Sequence, residues 1–253
     1  MKRWEVYTLP LLATIALLLL WHWSVIWTHT QVFPKPADVQ RGVIELFRKG
    51  LLWGYTRDSL YRVAVGYGAA LLLGIPLGLV LGWYPIAAQT TNPVIQILRP
   101  ISPLAWIPVS ILWFGVTDAA AIFLIFLASL FPIVLATMDG VHGAPGMFVD
   151  AGRNFGLSTP ALLARVVFPA ALPRIIIGLR IALGVAWLVV VAAEMIAVDS
   201  GLGYLIIDSR NAGKRYHLVV AGMLLIGVIG LCLDTGIRQL EKFKFLRWGF
   251  YHD

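Results

Sequence analysis

The ionisable residues Arg99, Arg180 and Glu194 lie inside strongly apolar segments of this sequence. A charge in such a place needs a counter-charge or water in a cavity, which makes each residue a functional candidate. The alternative is a structural ion pair or an interfacial position. Arg180 and Glu194 are 14 positions apart, so on a helix they share roughly one face but stand about 21 Å apart, and each needs its own partner on another element. Arg99, near one end of its segment, is expected to snorkel to lipid headgroups rather than contact a substrate.

Catalytic motifs are missing from the sequence. It has no Walker A pattern, no GxGxxG after a strand, no HExxH and no GxSxG, and no two of its histidines stand at metal-ligand spacing. We therefore expect a protein that is not an enzyme; if it moves a solute uphill with ATP, the ATPase is a separate chain. Its one cysteine, Cys232, excludes an internal disulfide and is interpreted as a packing residue.

The composition places these residues in a membrane. The chain has 253 residues, of which 59% are hydrophobic and 13% charged, and its mean hydropathy is +0.83. A soluble domain with this balance would expose too much apolar surface, so we predict an all-α polytopic membrane protein. The net charge of +7 is spread over loops and tail, which fits anionic lipid headgroups and not nucleic acid.

Six segments are long enough to cross a hydrocarbon core of about 30 Å. They form a single transmembrane domain over residues 1–253, with spans at about 8–27, 59–83, 94–116, 119–138, 173–198 and 216–237. Between the first two, the amphipathic stretch DVQRGVIELFRKG is predicted to lie on the membrane surface.

Two of these spans have unusual composition. The second carries a small residue at every fourth position, which favours close packing against another helix, with simple helix flexibility as the alternative; the stripe consists of Gly66, Ala70, Gly74, Gly78 and Gly82. The third contains three prolines and is not expected to form one regular helix. Broken backbone at membrane depth persists only beside protein or a water-filled cavity, so this span is a candidate pathway lining.

The connection at about 139–172 is predicted to form two short helices joined by a turn. The first is predicted from about residue 145 to Gly156, which can take the left-handed conformation that ends a helix. Ser158 or Thr159 can cap the second, which is predicted to be interrupted at Pro169 and Pro173. The unit is either a projection that docks on another protein or a loop on the bilayer surface.

Six spans put both termini on one side of the membrane. Basic residues at both ends predict that this side is cytoplasmic: Lys2, Arg3, Arg238, Lys242, Lys244 and Arg247. The 139–172 connection then faces the cytoplasm as well. The bias is slight, because the external stretch 29–58 also carries several Lys and Arg residues.

The stretch FVDAGRNFGLSTPALLARVVFPAALPRIIIGLR resembles the cytoplasmic EAA loop of permease subunits in type I ABC importers. That pattern is an acidic-Ala-Ala triplet, a Gly four residues after its third member, and later prolines. Here Asp replaces Glu and Gly replaces the second Ala; both departures are mild, so the resemblance still implies a docking role. The resemblance implies that the ATPase-coupling residues are Asp150, Ala151, Gly152, Arg153, Asn154, Phe155, Gly156, Leu157, Ser158 and Pro169.

Three further stretches resemble the nitrate, sulfonate, taurine and bicarbonate branch of these importers: LRPISPLAWIPVSILWFG, AAEMIAVDSGLGYLIIDSRNAG and LEKFKFLRWGFYHD. The resemblance implies a six-helix permease fold with cytoplasmic coupling helices in the bacterial inner membrane. It also implies a homodimer of permeases, two ATPase subunits that hold ATP and Mg, and a solute-binding protein. No cofactor is expected on this chain.

A mechanism follows from the resemblance as a hypothesis. ATP closes the paired ATPases, the coupling helices move as rigid bodies, and the two permeases switch a central cavity from inward to outward access. The third and fifth spans would line the pathway of a small anion, with Arg99, Ser102, Trp106, Arg180, Trp187 and Glu194 as its candidate residues. The alternatives are an autonomous secondary transporter or channel and a membrane-embedded enzyme, which would need repeats, more intramembrane charges or a clustered catalytic site.

Overall fold

The apolar stretches form long helices because backbone groups in hydrocarbon must find their partners within the protein. The computed structural model describes residues 5–28 and 32–241, with side chains over 8–28 and 32–239. The long helices are α1 (Glu5–Thr28), α3 (Leu51–Trp83), α6 (Asp118–His142), α9 (Phe168–Glu194) and α11 (Tyr216–Glu241). The shorter ones are α2 (Pro36–Arg48), α4 (Pro85–Leu98), α5 (Ile107–Phe114), α7 (Gly146–Asn154), α8 (Thr159–Leu162) and α10 (Leu202–Asn211).

Five helices of the described chain are long and apolar enough to cross a membrane. They are α1, α3, α6, α11 and a continuous helix over Thr159–Glu194 that joins α8 to α9. A sixth crossing arises if α4 and the segment Pro103–Phe114 count as one broken span, bent by 81°. The prolines therefore produce the irregular backbone expected of the third segment, which extends over 85–114 rather than 94–116.

The second span begins eight residues earlier than the sequence pattern predicts, at Leu51 instead of 59. Gly50, with a φ of 67°, ends α2 and lets the chain re-enter a helix at once. Residues 51–58, assigned above to the external stretch 29–58, thus form the first turns of α3. The basic tail residues Lys242, Lys244 and Arg247, like Lys2 and Arg3, lie outside the described residues.

The glycine stripe of α3 packs directly on α6, as predicted. All five small residues are buried, and a Cβ added at Gly74 would lie 2.9 Å from Ile133 Cγ2. One added at Gly78 would lie 2.5 Å from Thr137 Cβ and 2.7 Å from the Val134 carbonyl oxygen. The partners advance along α6 in step with α3, so the two helices run parallel and their backbones nearly touch.

α9 packs antiparallel on α6, also through small residues. A Cβ at Gly140 would lie 3.0 Å from Ala171 Cβ, and one at Gly178 would overlap Ala136. The ends of α3 and α6 next to α7 form one end of the bundle, which we call the loop end. The start of α6, the end of α9 and α10 form the opposite end.

α2 docks on the opposite end through an apolar face, with Val39 and Leu46 buried beside Leu218 of α11. Its polar face carries Glu45, which accepts a hydrogen bond from the Lys49 ammonium at 2.6 Å, and this bond lowers the pKa of the Glu45 carboxyl. The helix is thus amphipathic, as expected from its sequence.

Cys232, interpreted above as a packing residue, is exposed on α11, because that helix buries only part of its surface within the chain.

Candidate translocation cavity and coupling loop

A cavity of about 710 Å³ lies between the broken third span and the paired helices α6 and α9. Its lining is largely apolar and aromatic. The third segment contributes Leu98, Arg99, Ile101, Pro103, Trp106 and Trp113; α6 and α9 contribute Phe123, Leu127, Ala128, Phe131, Pro132, Leu135, Ala136, Asp139, Gly178, Ile181 and Val185. The structure thus brings the predicted pathway residues Arg99 and Trp106 to one cavity.

Arg99 lies at the break itself, as the residue that directly follows α4 before the chain turns into the 3-10 turn Pro103–Trp106. It is therefore half-way along the bent pair. The expectation that Arg99 is near one end of its span is wrong because the helix begins at Pro85 and not at 94. That its side chain snorkels to headgroups stays a prediction.

Ser102, a third predicted pathway residue, lies at the same break in the third segment. Its hydroxyl oxygen accepts a hydrogen bond from the Leu104 amide at 3.3 Å and so caps the 3-10 turn. Its role toward a solute stays a prediction.

A second cavity of about 660 Å³ opens at the loop end and shares Ala136, Asp139, Gly178 and Ile181 with the first. Its own lining includes His142 and Arg174. The Arg174 guanidinium donates to the Asp139 carbonyl oxygen at 2.9 Å and covers Gly143. The two cavities together form one path along α6 and α9 toward the coupling loop.

Glu194 lies away from this path, in a buried charge network at the opposite end of the bundle. Its side chain is 0% exposed and accepts three hydrogen bonds: from Arg62 Nη1 at 2.7 Å, from the Ser59 hydroxyl at 2.9 Å and from the Gly203 amide at 2.9 Å. Arg62 also pairs with Asp118 at 2.7 Å and donates to the Ser200 carbonyl at 2.8 Å. This network ties together the ends of α3, α6, α9 and α10.

Arg180 and Trp187 both face α11. The Arg180 Nε atom donates to Asp234 Oδ1 at 2.6 Å, and the same carboxylate pairs with Arg238 at 2.9 Å. Trp187 is buried and donates its indole N–H to the Ile226 carbonyl at 3.1 Å. Arg180 and Glu194 therefore have separate partners on other helices, as predicted. Neither they nor Trp187 line the two cavities, and their role in a pathway stays a prediction.

The partners Arg62 and Asp234 were missed in the sequence. Each is a charge inside a predicted span, one in the second and one in the sixth. Pairing every intramembrane cation with an intramembrane carboxylate would have identified both as candidates, because isolated charges are rare there.

Within the part of the chain that the structure describes, there is no group of His, Cys, Asp or Glu residues that could hold a metal ion.

The coupling loop begins with α7, which ends in a left-handed turn. Gly156 has a φ of 74°. The Leu157 amide donates to the Gly152 carbonyl at 3.1 Å and the Gly156 amide to the Arg153 carbonyl at 2.9 Å. This pair of bonds is a Schellman motif, so the predicted helix terminator is confirmed.

Gly152, the departure from the EAA pattern, is buried where the two helices of the loop meet. A Cβ there would lie 3.5 Å from Val166 Cγ2 and would overlap the Leu162 side chain. Glycine thus lets α8 approach α7 more closely than alanine would. Outside this contact the loop is open: Phe155 is 87% exposed, and Arg153 stacks over the Trp83 ring at 5.9 Å, which ties α7 to the end of α3.

The second half of the loop differs from prediction. Ser158 occupies the N-cap position of α8 but its side chain makes no capping bond. α8 then continues through a π-helical segment, Leu163–Val167, directly into α9 without interruption at Pro169 or Pro173. The Phe168 amide bonds to the Leu163 carbonyl, five residues back, and this wider turn leaves room for the Pro169 ring, which would otherwise strike the preceding turn.

Comparison with known proteins gives consistent matches. The family model described as "Binding-protein-dependent transport system inner membrane component" matches residues 74–244. A Methanocaldococcus jannaschii protein named as an ABC transporter permease is 38% identical over 247 residues, covering 95% of this chain and 90% of that protein. The taurine transport system permease protein TauC of Escherichia coli is 34% identical, covering 91% and 86%.

Other relatives carry related names. A sulfonate transport permease of Bacillus subtilis, a bicarbonate transport permease of Synechocystis and a nitrate import permease of Leptolyngbya laminosa are 35%, 38% and 39% identical, respectively. Among solved structures, a chain of the inward-facing MetNI methionine ABC transporter superimposes with a TM-score of 0.65 at 18% identity, covering 75% of this chain and 94% of that one. The structural match shows a shared fold.

Proposed function

This chain belongs to the family of binding-protein-dependent transport system inner membrane components, and on that premise we propose that it is the permease subunit of an ATP-driven importer of a small anion. The substrate class is that of an aliphatic sulfonate such as taurine, nitrate or bicarbonate. The relatives named for these solutes support it, at 34% to 39% identity. A solute-binding protein delivers the anion to the permease.

The observation that carries the coupling role is the geometry of the 146–162 segment. Two helices meet at the left-handed Gly156 turn and present an exposed aromatic side chain, Phe155, at the loop end. Such a rigid apolar projection suits a cleft on another protein better than a bilayer surface, because Gly152 and Leu162 already fix its internal packing. The partner is a separate ATPase subunit that holds ATP and Mg, and this chain carries no cofactor of its own.

The assembly we propose has two copies of the permease and two ATPase subunits in the bacterial inner membrane. The main cavity is bounded by α4, α5, α6 and α9 of one chain, and a second copy facing it would complete a central pathway. The loop end and both termini then face the cytoplasm, and the end of the bundle that holds the buried charge network is on the external side of the membrane. Sulfonate, nitrate or bicarbonate would pass along the cavity lined by Arg99 and Trp106.

Transport in proteoliposomes tests this function. The permease is purified together with the ATPase and solute-binding protein from the same genetic locus, and uptake of labelled taurine, nitrate and bicarbonate is measured with ATP inside the vesicles. We expect ATP-dependent uptake of one of these anions that requires the binding protein. Uptake by the permease alone, driven by an ion gradient, would instead support an autonomous secondary transporter or channel.

Gly156→Leu tests the coupling loop, and Gly50→Leu is its matched control. Both glycines have a positive φ, of 74° and 67°, and a Cβ added at either would meet no atom within 4 Å. Each substitution therefore carries a similar backbone strain of about 1–2 kcal/mol. Only the first should abolish uptake and substrate-stimulated ATP hydrolysis. If an assembled Gly156→Leu complex retains both, the coupling assignment is wrong.

A further inference from the structure

Arg99 lines the main cavity and is exposed within this single chain, and its contacts differ from those of Arg62, Arg174 and Arg180. Arg62 is bonded to Glu194, Arg174 to the Asp139 carbonyl, and Arg180 to Asp234. Among the described residues the Arg99 guanidinium has neither a hydrogen bond nor an ion pair. An arginine that remains charged at any accessible pH, at a break in a membrane span and beside apolar walls, needs water or a counter-ion.

The position of Arg99 favours a mobile counter-ion over a fixed one. It stands at the 81° break of the third segment, where its side chain lines the cavity together with Trp106. Asp139 lines the same cavity but makes no ion pair with Arg99 within the described part of the chain. Its place is the last turn of α6, where the second cavity opens toward Arg174 and His142.

We propose that Arg99 is the anion-binding group of the cavity and that the transported solute is its counter-ion. The planar guanidinium presents two parallel N–H donors, which match two oxygens of one oxyanion. The site therefore selects the oxyanion group that sulfonates, nitrate and bicarbonate share. Asp139, further toward the loop end, repels the same charge and favours its release. This inference rests on the proposed function, since it assigns the residue that recognises the substrate class.

Removing the charge is the first test, in the reconstituted complex with its ATPase and binding protein. Arg99→Gln should reduce anion uptake about tenfold or more, because a charge-assisted bidentate hydrogen bond is lost, while Arg99→Lys keeps part of it. Arg57→Gln is the control: that arginine is exposed, pairs with its neighbour Asp58 at 3.2 Å and lines neither cavity. Its uptake should equal that of the wild type.

Chemical rescue separates loss of charge from loss of folding. The chain has one cysteine, so Arg99→Cys in a Cys232→Ser background carries a single thiol, which can be modified after the complex has assembled. Aminoethyl methanethiosulfonate adds a positive charge there, and methyl methanethiosulfonate adds bulk without charge. Only the cationic reagent should restore uptake.

The outcomes distinguish this inference from the proposed function. The role of Arg99 alone is overturned if Arg99→Gln takes up the anion as fast as the wild type. It is also overturned if both reagents, or neither of them, restore uptake by Arg99→Cys. Such a result would fit a side chain that reaches lipid headgroups. ATP-driven import of a neutral solute by the wild type would overturn both.

Discussion

Replacing Glu194 with glutamine tests the charge network at the end of the bundle opposite the coupling loop. One carboxylate oxygen accepts from Arg62 at 2.7 Å, and the other accepts from the Ser59 hydroxyl and the Gly203 amide, both at 2.9 Å. Every neighbour is a donor. The amide nitrogen of glutamine would therefore face a donor in either orientation, and the buried guanidinium would lose its buried counter-charge.

The expected decrease in the free energy of unfolding is large because both partners are buried, Glu194 at 0% and Arg62 at 1% exposure. Removing one member of a buried pair costs about 3–5 kcal/mol. Asp118 remains 2.7 Å from Arg62, so we expect a value near the lower end, about 3 kcal/mol. For a chain of this size that corresponds to an apparent unfolding temperature lower by about 6–12 °C.

The assay is the fraction of purified protein that stays monodisperse in detergent after heating, measured by size-exclusion chromatography. Arg57→Gln, which breaks an exposed pair with Asp58, should change the free energy of unfolding by less than about 1 kcal/mol. The double variant Arg62→Met with Glu194→Gln removes the unpaired cation and should recover part of the loss. A Glu194→Gln shift no larger than that of Arg57→Gln would refute the argument that the network stabilises the bundle.

Three further predictions use the same heating assay or the uptake assay. Gly78→Ala should destabilise the protein by about 1–3 kcal/mol, because its Cβ would lie 2.7 Å from the Val134 carbonyl oxygen; Gly68→Ala, on the same helix with open space around it, should be neutral or stabilising by up to about 1 kcal/mol. Trp187→Phe removes the donor to a carbonyl of α11 and should destabilise by about 1 kcal/mol; an unchanged midpoint would show that packing alone holds this contact. Gly156→Asn should keep near wild-type uptake, because asparagine tolerates the left-handed conformation, and a loss equal to that of Gly156→Leu would mean that side-chain volume and not backbone angle limits coupling.

Features set by local backbone geometry were predictable from the sequence. The left-handed turn at Gly156 and the fourth-residue stripe through Gly66 and Gly82 were both placed correctly, because each depends on the absence of a Cβ at a known spacing. The stripe predicted a close neighbour but not its identity. That α6 is the neighbour depends on how six segments assemble, which no single segment encodes.

The charge partners show the same limit. Helical geometry established that Arg180 and Glu194 could not pair with each other, yet it could not select Asp234 or Arg62 from the other spans. The continuous helix over Thr159–Glu194 was not predicted either. Proline is read as a helix breaker, whereas a π segment before Pro169 relieves its steric conflict and lets the helix continue.

The two ends of the bundle are held by different kinds of contact, and this bears on how a motion of the coupling loop can spread. At the loop end, α6 leads into α7 through a short link, and α8 continues into α9 with no break. Starting at the loop end, Gly140 and Gly178 bring α6 and α9 so close that sliding one past the other would drive backbone into side chain. At the far end, Glu194 and Arg62 bind α9 to α3 through short, directional, buried bonds. We therefore expect a displacement that starts at Gly156 to move α6 and α9 as a pair about that end, together with the cavity wall that they share.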